Sequence, residues 1–159
     1  MGWHRVSSCM SLSFCLFRTC PNLSSLVISR SLLLSKSFHD NPSLNATFHR
    51  IHTLEVIDDK GYFPVRSTRW LVQRFPSLSR VELRVYSFDC CVAIVDILLG
   101  SLAKLARVKV HFERDTLLDD PFTCRYVVER RRHAFILDRN REHRVSVRKD
   151  ERSLLIWLE

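Results

Sequence analysis

The chain has 159 residues, 46% of them apolar and 26% charged, with 25 Lys and Arg against 17 Asp and Glu, a formal charge of +8. That length holds one domain, and that apolar fraction excludes wholesale disorder. Its only glycines, Gly2, Gly61 and Gly100, stand too far apart for the glycine-rich loops that cradle phosphates or for a strained nucleophile turn.

No acidic residue precedes Asp40, while serines and the scattered Arg5, Arg18, Arg30 and Lys36 give this end the composition of a transit peptide. Val6 to Phe17 also reads as a weak signal-peptide core, but four serines and two cysteines break it and no small-x-small cleavage site follows. Residues 1–19 are therefore read as a poorly ordered or improvised N-terminal segment. No run reaches the roughly eighteen apolar residues of a membrane span. Cys9, Cys15, Cys20, Cys90, Cys91 and Cys124 form no C-x-x-C, so they read as reduced small hydrophobes of a cytoplasmic or nuclear protein. The sequons at Asn22 and Asn45 matter only in a secreted chain.

Residues 20–113 carry an internal repeat. An apolar-x-x-apolar-x-apolar hexamer recurs as Leu23-Ser-Ser-Leu26-Val-Ile28, Ile51-His-Thr-Leu54-Glu-Val56, Leu78-Ser-Arg-Val81-Glu-Leu83 and Leu105-Ala-Arg-Val108-Lys-Val110, at intervals of 28, 27 and 27 residues. The second half of each hexamer alternates with period two, as a short strand does. The twenty or so residues between hexamers must bring the chain back to the next parallel strand, which a helix does economically. The first gap, residues 35–48, is rich in Ser, Asn and Pro and reads as an irregular loop. In the second gap, Pro64 stands near the start of a helix over Val65–Arg74. In the third, Ser87 or Asp89 caps a helix in which Cys91, Val95, Leu98 and Leu102 recur at helical spacing.

Beyond the repeats, residues 114–159 read as a C-terminal cap. Asp120-Pro121 reads as N-cap and first residue of a helix reaching about Phe135, which would bury Phe122, Tyr126, Val127 and Phe135. Arg144 to Arg148 alternates, Lys149 to Arg152 is polar and Ser153 to Leu158 is apolar, which predicts a closing hairpin. The basic residues of this region are Arg125, Arg130, Arg131, Arg132, Arg139, Arg141, Arg144, Arg148, Lys149 and Arg152. They read as a solvated helix face rather than a nucleic-acid surface, because Tyr126, Phe135 and Trp157 sit in apolar contexts that suit a core and not base stacking.

Repeats of 27 and 28 residues with L-x-x-L-x-L strands, together with Cys20-Pro-Asn-Leu-Ser-Ser-Leu-Val-Ile28, Phe75-Pro-Ser-Leu-Ser-Arg-Val-Glu-Leu83 and Asp115-Thr-Leu-Leu-Asp-Asp-Pro-Phe122, resemble the degenerate leucine-rich repeats of F-box/leucine-rich-repeat proteins. No segment here resembles an F-box. Ser31, Asp59, Tyr86 and Glu113 stand at the ninth repeat position, where that family has Asn or Cys. The resemblance implies an α/β, leucine-rich-repeat-like solenoid with a short parallel sheet, backing helices and a C-terminal helix plus β-hairpin cap. It implies a protein-interaction module, possessing the kind of surface with which ubiquitin-ligase receptors hold a substrate. In such repeats the residues between the apolar positions face the concavity in three cross-strand rows: Ser25, Thr53, Arg80, Arg107; Val27, Glu55, Glu82, Lys109; and Ser29, Ile57, Arg84, His111. The expected protein-binding residues are Thr53, Glu55, Arg80, Glu82, Arg84, Arg107, Lys109 and His111, a mainly basic surface relieved by Glu82. It suits an acidic or phosphorylated protein segment, which arginines grip through forked hydrogen bonds. The alternatives are a basic nucleic-acid-associated domain, or a truncated repeat fragment without independent function.

Nothing in the sequence calls for a cofactor, a metal or an enzyme activity. Asp58-Asp59 and Asp119-Asp120 read as turn and cap residues. His49 and His52 have no matching ligand set. Cys90 lies beside an apolar helix stripe with nothing to bring His111 or His133 to it.

Overall fold

The computed structural model describes residues 4–6, 22–57, 61–115, 120–135 and 144–158. The calls on Cys9, Cys15, Cys20, Asp58, Asp59, Asp119, Arg139 and Arg141 lie outside the described residues, as does the stretch from Ser7 to Phe17.

Among the described residues seven strands form one open sheet: β1 (His4–Val6), β2 (Ser25–Ser29), β3 (Thr53–Ile57), β4 (Arg80–Ser87), β5 (Arg107–Arg114), β6 (Val145–Asp150) and β7 (Ser153–Leu158), in the order β1-β2-β3-β4-β5-β7-β6. The first five are parallel and lie side by side in chain order. The last two form an antiparallel hairpin that joins the sheet through β7 against β5. The order expected for the four hexamers is the order observed: Leu26, Leu54, Val81 and Val108 stand opposite one another across β2 to β5. β1 adds a parallel strand upstream, within the segment read as poorly ordered.

Each rung of this stack is joined to the next by the same two devices. At the foot of the strands, the carbonyl of Ser24 accepts from the N–H groups of His52 and Thr53, that of His52 from Ser79 and Arg80, and that of Ser79 from Ala106 and Arg107. Just before each strand, a buried residue closes a tight turn onto the first apolar position of the hexamer: Ile51 N–H to Phe48 C=O, Leu78 N–H to Phe75 C=O, and Leu105 N–H to Leu102 C=O, at 3.2, 3.3 and 3.2 Å. These residues line up in the core, with the Phe48 and Phe75 rings 4.7 Å apart and Phe38 5.0 Å from Phe48.

Among the described residues six helices cover one face of the sheet: α1 (Arg30–Leu33), α2 (Lys36–His39), α3 (Asn45–Phe48), α4 (Thr68–Arg74), α5 (Phe88–Ser101) and α6 (Cys124–Ala134). Ser87, not Asp89, caps α5, accepting from the Cys90 N–H. α5 buries Cys91, Ile94, Val95, Leu98 and Leu99 against the strands. The helix of the second gap begins as a single 3₁₀ turn over Val65–Ser67 and continues as α4.

Two sequence expectations need correction. Residues 35–48 are not irregular. Ser35 caps α2, Asn41 caps a 3₁₀ turn over Pro42–Leu44, and α3 follows, so that Phe38, Leu44 and Phe48 are buried. Each piece is one turn long, too short to show a helical period, and its Ser and Asn are caps rather than loop formers. The C-terminal helix begins at Cys124, capped by Thr123. Asp120 instead accepts from the Phe122 N–H in a local turn. That turn delivers the Phe122 ring edge-on to Phe88, 6.4 Å away, before the helix starts.

α6 is fastened to α5 by charge. Asp96 accepts from Arg130 Nε at 2.6 Å and Nη2 at 3.0 Å and from the Tyr126 hydroxyl at 2.9 Å. Arg131, 7% exposed, reaches the end of α5 and donates to the carbonyls of Leu99, Leu102 and Ala103 at 3.0, 2.6 and 2.8 Å. Carbonyls at a helix C-terminus lack helical partners and carry partial negative charge, so a guanidinium satisfies both needs at once. Its burial costs enough to pull the Arg131 pKa below the usual value. Arg131→Met should lower unfolding free energy by about 2–4 kcal/mol in urea titration, since three carbonyls lose a charged donor. Thr68 is fully buried and its hydroxyl finds no partner among the described residues. Thr68→Val should leave the shape intact and raise stability by about 1 kcal/mol in the same titration.

Candidate functional site

Alternation along the strands sends Leu54, Val56, Val81, Leu83, Val85, Val108, Val110 and Phe112 into the core beneath the helices. The residues between them therefore stand on the opposite, open face. The first row pairs Ser25 with Thr53, Thr53 with Arg80 and Arg80 with Arg107. The second runs Val27, Glu55, Glu82, Lys109. Both are the rows expected from the repeat. The third row is interrupted. Ser29 pairs with Ile57 and Arg84 with His111, but the β3–β4 ladder ends at Glu55 and Glu82, so Ile57 does not meet Arg84. The reason is local: β3 has five residues and β4 eight, and the Arg84 carbonyl takes the N–H of Phe63 at 2.8 Å instead. Where the ladder stops, a hollow of about 450 Å³ opens, bordered by Glu55, Ile57, Arg84, His111, Glu113 and Arg152.

The face is less basic than its composition suggests. A single Glu82 oxygen accepts from Lys109 Nζ at 2.8 Å and from His111 Nε2 at 2.9 Å. Burial raises the Glu82 pKa, but the hydrogen bonds and positive charges of Lys109 and His111 outweigh it and hold the carboxyl below its ordinary 4.5. Arg84 donates to Glu113 at 2.9 Å and lies over the Tyr62 ring, which meets Tyr86 edge-on at 5.3 Å. Arg80 and Arg107 are left. They are opposite each other on strands about 4.8 Å apart, both are exposed, and neither has a carboxylate partner among the described residues. Arg107 is propped from β7 by the Trp157 ring, 5.9 Å from its guanidinium carbon. A hollow of about 160 Å³ lies here, bordered by Thr53, Glu55, Arg80, Glu82, Arg107 and Lys109.

All eight expected site residues thus share one face. The sequence reading missed Glu113, which takes Arg84 out of play, and it missed the prolongation of the rows onto β7, where Trp157, Leu155 and Ser153 stand opposite Arg107, Lys109 and His111. Glu113 carried a signal, since it occupies the same parity as His111 on β5. β7 carried none, because an antiparallel strand lies outside the period.

The other candidates are not drawn together. His52 Nδ1 is 3.0 Å from the Ser77 carbonyl, within the stack of rungs. Cys90 sits on α5, bonded by the Ser87 hydroxyl, while His111 is on the opposite side of the sheet. Burial pushes the neighbouring Cys91 thiol up to about 12, far from the thiolate a nucleophile needs. Among the described residues no group of three or more His, Cys, Asp or Glu could hold a metal ion, and no helix is long and apolar enough to cross a membrane. Comparison with protein-family models, with curated proteins and with solved structures finds no match for this chain.

The Glu82 cluster makes a pH prediction. A carboxyl held low in the folded chain adds stability that is complete above its unfolded value and is lost as the pH falls through its folded value. Urea midpoints of the wild type should therefore fall faster below about pH 5 than those of Glu82→Gln. Parallel curves would show that the cluster contributes nothing to folding.

Proposed function

We propose that this chain is a protein-interaction module, a degenerate leucine-rich-repeat solenoid whose open sheet face holds an acidic protein segment. The part it plays is that of the substrate-holding repeats of F-box/leucine-rich-repeat proteins, the family its hexamers resemble. The solenoid reading is supported by repetition at three levels with one spacing: the hexamers, the doubly accepting carbonyls at 24, 52 and 79, and the turns closed by Phe48, Phe75 and Leu102.

The observation that carries the binding reading is the Arg80–Arg107 pair. Two guanidinium groups side by side repel each other, whereas the other cations that β4 and β5 place on this face, Arg84, Lys109 and His111, each have an internal carboxylate. A carboxylate brought by a partner relieves that repulsion and gains forked, charge-assisted hydrogen bonds. Thr53 beside Arg80 adds a hydroxyl to the same row.

Fluorescence anisotropy of a labelled eight-residue glutamate-rich peptide tests this. Wild-type protein should bind it at low salt, and Arg80→Glu with Arg107→Glu should weaken binding at least tenfold, more than the same change in net charge placed elsewhere would. Arg66→Glu with Arg69→Glu, the same change in net charge on exposed helical-side residues, should bind like wild type. Equal losses in the two double variants would reduce the effect to net charge and overturn the assignment to this face.

A further inference from the structure

The acidic-segment reading leaves one residue of the face unused. Glu55 stands in the second row, between Val27 and Glu82, and it has no ion-pair partner among the described residues. It borders both hollows of the face. Its row neighbour Glu82 is a like charge, already engaged on one oxygen by Lys109 and His111. Among the described residues of β3, β4 and β5, the face's charges without an ion pair are therefore arranged in two stripes: cationic in the first row at Arg80 and Arg107, anionic in the second at Glu55, with the paired Glu82 beside it. Glu55 and Arg80 are diagonal neighbours on adjacent strands, yet they do not come within ion-pair distance.

The stripes have a fixed separation. Successive residues on one face of a strand are two apart, about 7 Å. An extended peptide laid along the strand direction repeats that spacing in its own side chains, with residues i and i+2 on the same side. A segment laid over β3 and β4 then sets an anion at i against Arg80, with Arg107 one strand further on, while a cation at i+2 lies between Glu55 and Glu82. A purely acidic segment would instead bring its second carboxylate against Glu55, and like charges in apposition cost affinity.

We infer that the face recognises an extended segment bearing an acidic residue and a basic residue two positions apart, and not acidic chains in general. This rests on the acidic-segment reading and narrows it. The arginine pair supplies attraction for the acid, and Glu55 supplies selection for its neighbour. Because a strand lies along the sheet in either sense, the order acid-x-base and its reverse correspond to the two orientations of the bound segment.

The test uses labelled eight-residue peptides on a common Thr and Ser background, measured by anisotropy against the full chain. One carries Glu and Arg two apart, one carries them in reverse order, one carries them adjacent so that they face opposite sides, and one carries Glu alone. One of the two spaced peptides should bind at least tenfold tighter than both the adjacent and the Glu-only peptides. Glu55→Gln should erase that preference, bringing the spaced and Glu-only peptides to within about twofold of each other, while Arg80→Glu with Arg107→Glu abolishes binding of all. Equal binding of the spaced and Glu-only peptides to wild type would overturn the inference and leave the acidic-segment reading standing. Absence of binding by every peptide, with the protein folded by circular dichroism, would overturn both.

Discussion

Ser24, His52 and Ser79 each offer one carbonyl to two successive N–H groups of the following rung, and the rest of the architecture depends on that junction. A carbonyl has two lone pairs, so one oxygen can hold the foot of the next strand at two points. This fixes where each strand begins relative to its neighbour. Once the start is fixed, register follows, and register decides which side chains face the helices and which face solvent. A slip of one residue would place Arg80, Glu82 and Arg84 under α5 and turn Val81, Leu83 and Val85 out. Burying each of those apolar side chains is worth about 1.5–3 kcal/mol, so junction and core select the same alignment.

A parallel stack with fixed register converts sequence positions into rows. Chemistry placed at one point of the repeat reappears 4.8 Å or so away on the next strand, and this explains why like charges meet on the open face: Arg80 beside Arg107, Glu55 beside Glu82. Lys109 interrupts the acidic row where the repetition would have become costly, and with His111 it neutralises Glu82. Among the described residues of β3 to β5, the charges of this face left without an ion pair are those of one arginine pair and one glutamate. Their separation by sign is the basis of the proposed partner, since complementary charge gives specificity.

Much of this was legible in the sequence because a period carries register as well as element type. Hexamers at intervals of 28, 27 and 27 gave the strand order, the first two rows and the side of the sheet on which Arg80 and Arg107 stand. What the period did not encode was hidden. One-turn helices at Lys36–His39 and Asn45–Phe48 are too short for amphipathic spacing. The third row broke because β3 is shorter than β4, a consequence of the chain returning through Phe63 to Arg84 rather than of any residue in the row. The arginine run in α6 reads in sequence as one solvated face, yet its members differ completely. Arg130 binds Asp96, Arg131 is buried on the end of α5, and Arg132 is exposed. Three consecutive helical residues point about 100° apart, so a run of like charge cannot lie on one face. Which member turns inward depends on where α5 ends.

The termination of the stack follows from the same junction that builds it. By the repeat, the carbonyl of Ala106 is the equivalent of Ser24, His52 and Ser79, and it would accept from a further parallel rung. Leu158 N–H occupies it instead, at 2.8 Å, from the end of β7. An antiparallel strand can fill that position without a crossover helix, because the chain reaches it directly from the hairpin turn after β6. Leu154 and Ile156 then continue the apolar row of Val108 and Val110 into the core, and Trp157 continues the first row beneath Arg107. The helical layer needs its own closure, since α5 would otherwise end with bare carbonyls where the next helix should pack. Arg131 meets them there. The sheet and the helical layer are thus capped separately, by a strand of reversed direction and by a single guanidinium. Because Trp157 belongs to the sheet cap, the residue that props Arg107 on the open face is set by how the stack ends rather than by how it repeats.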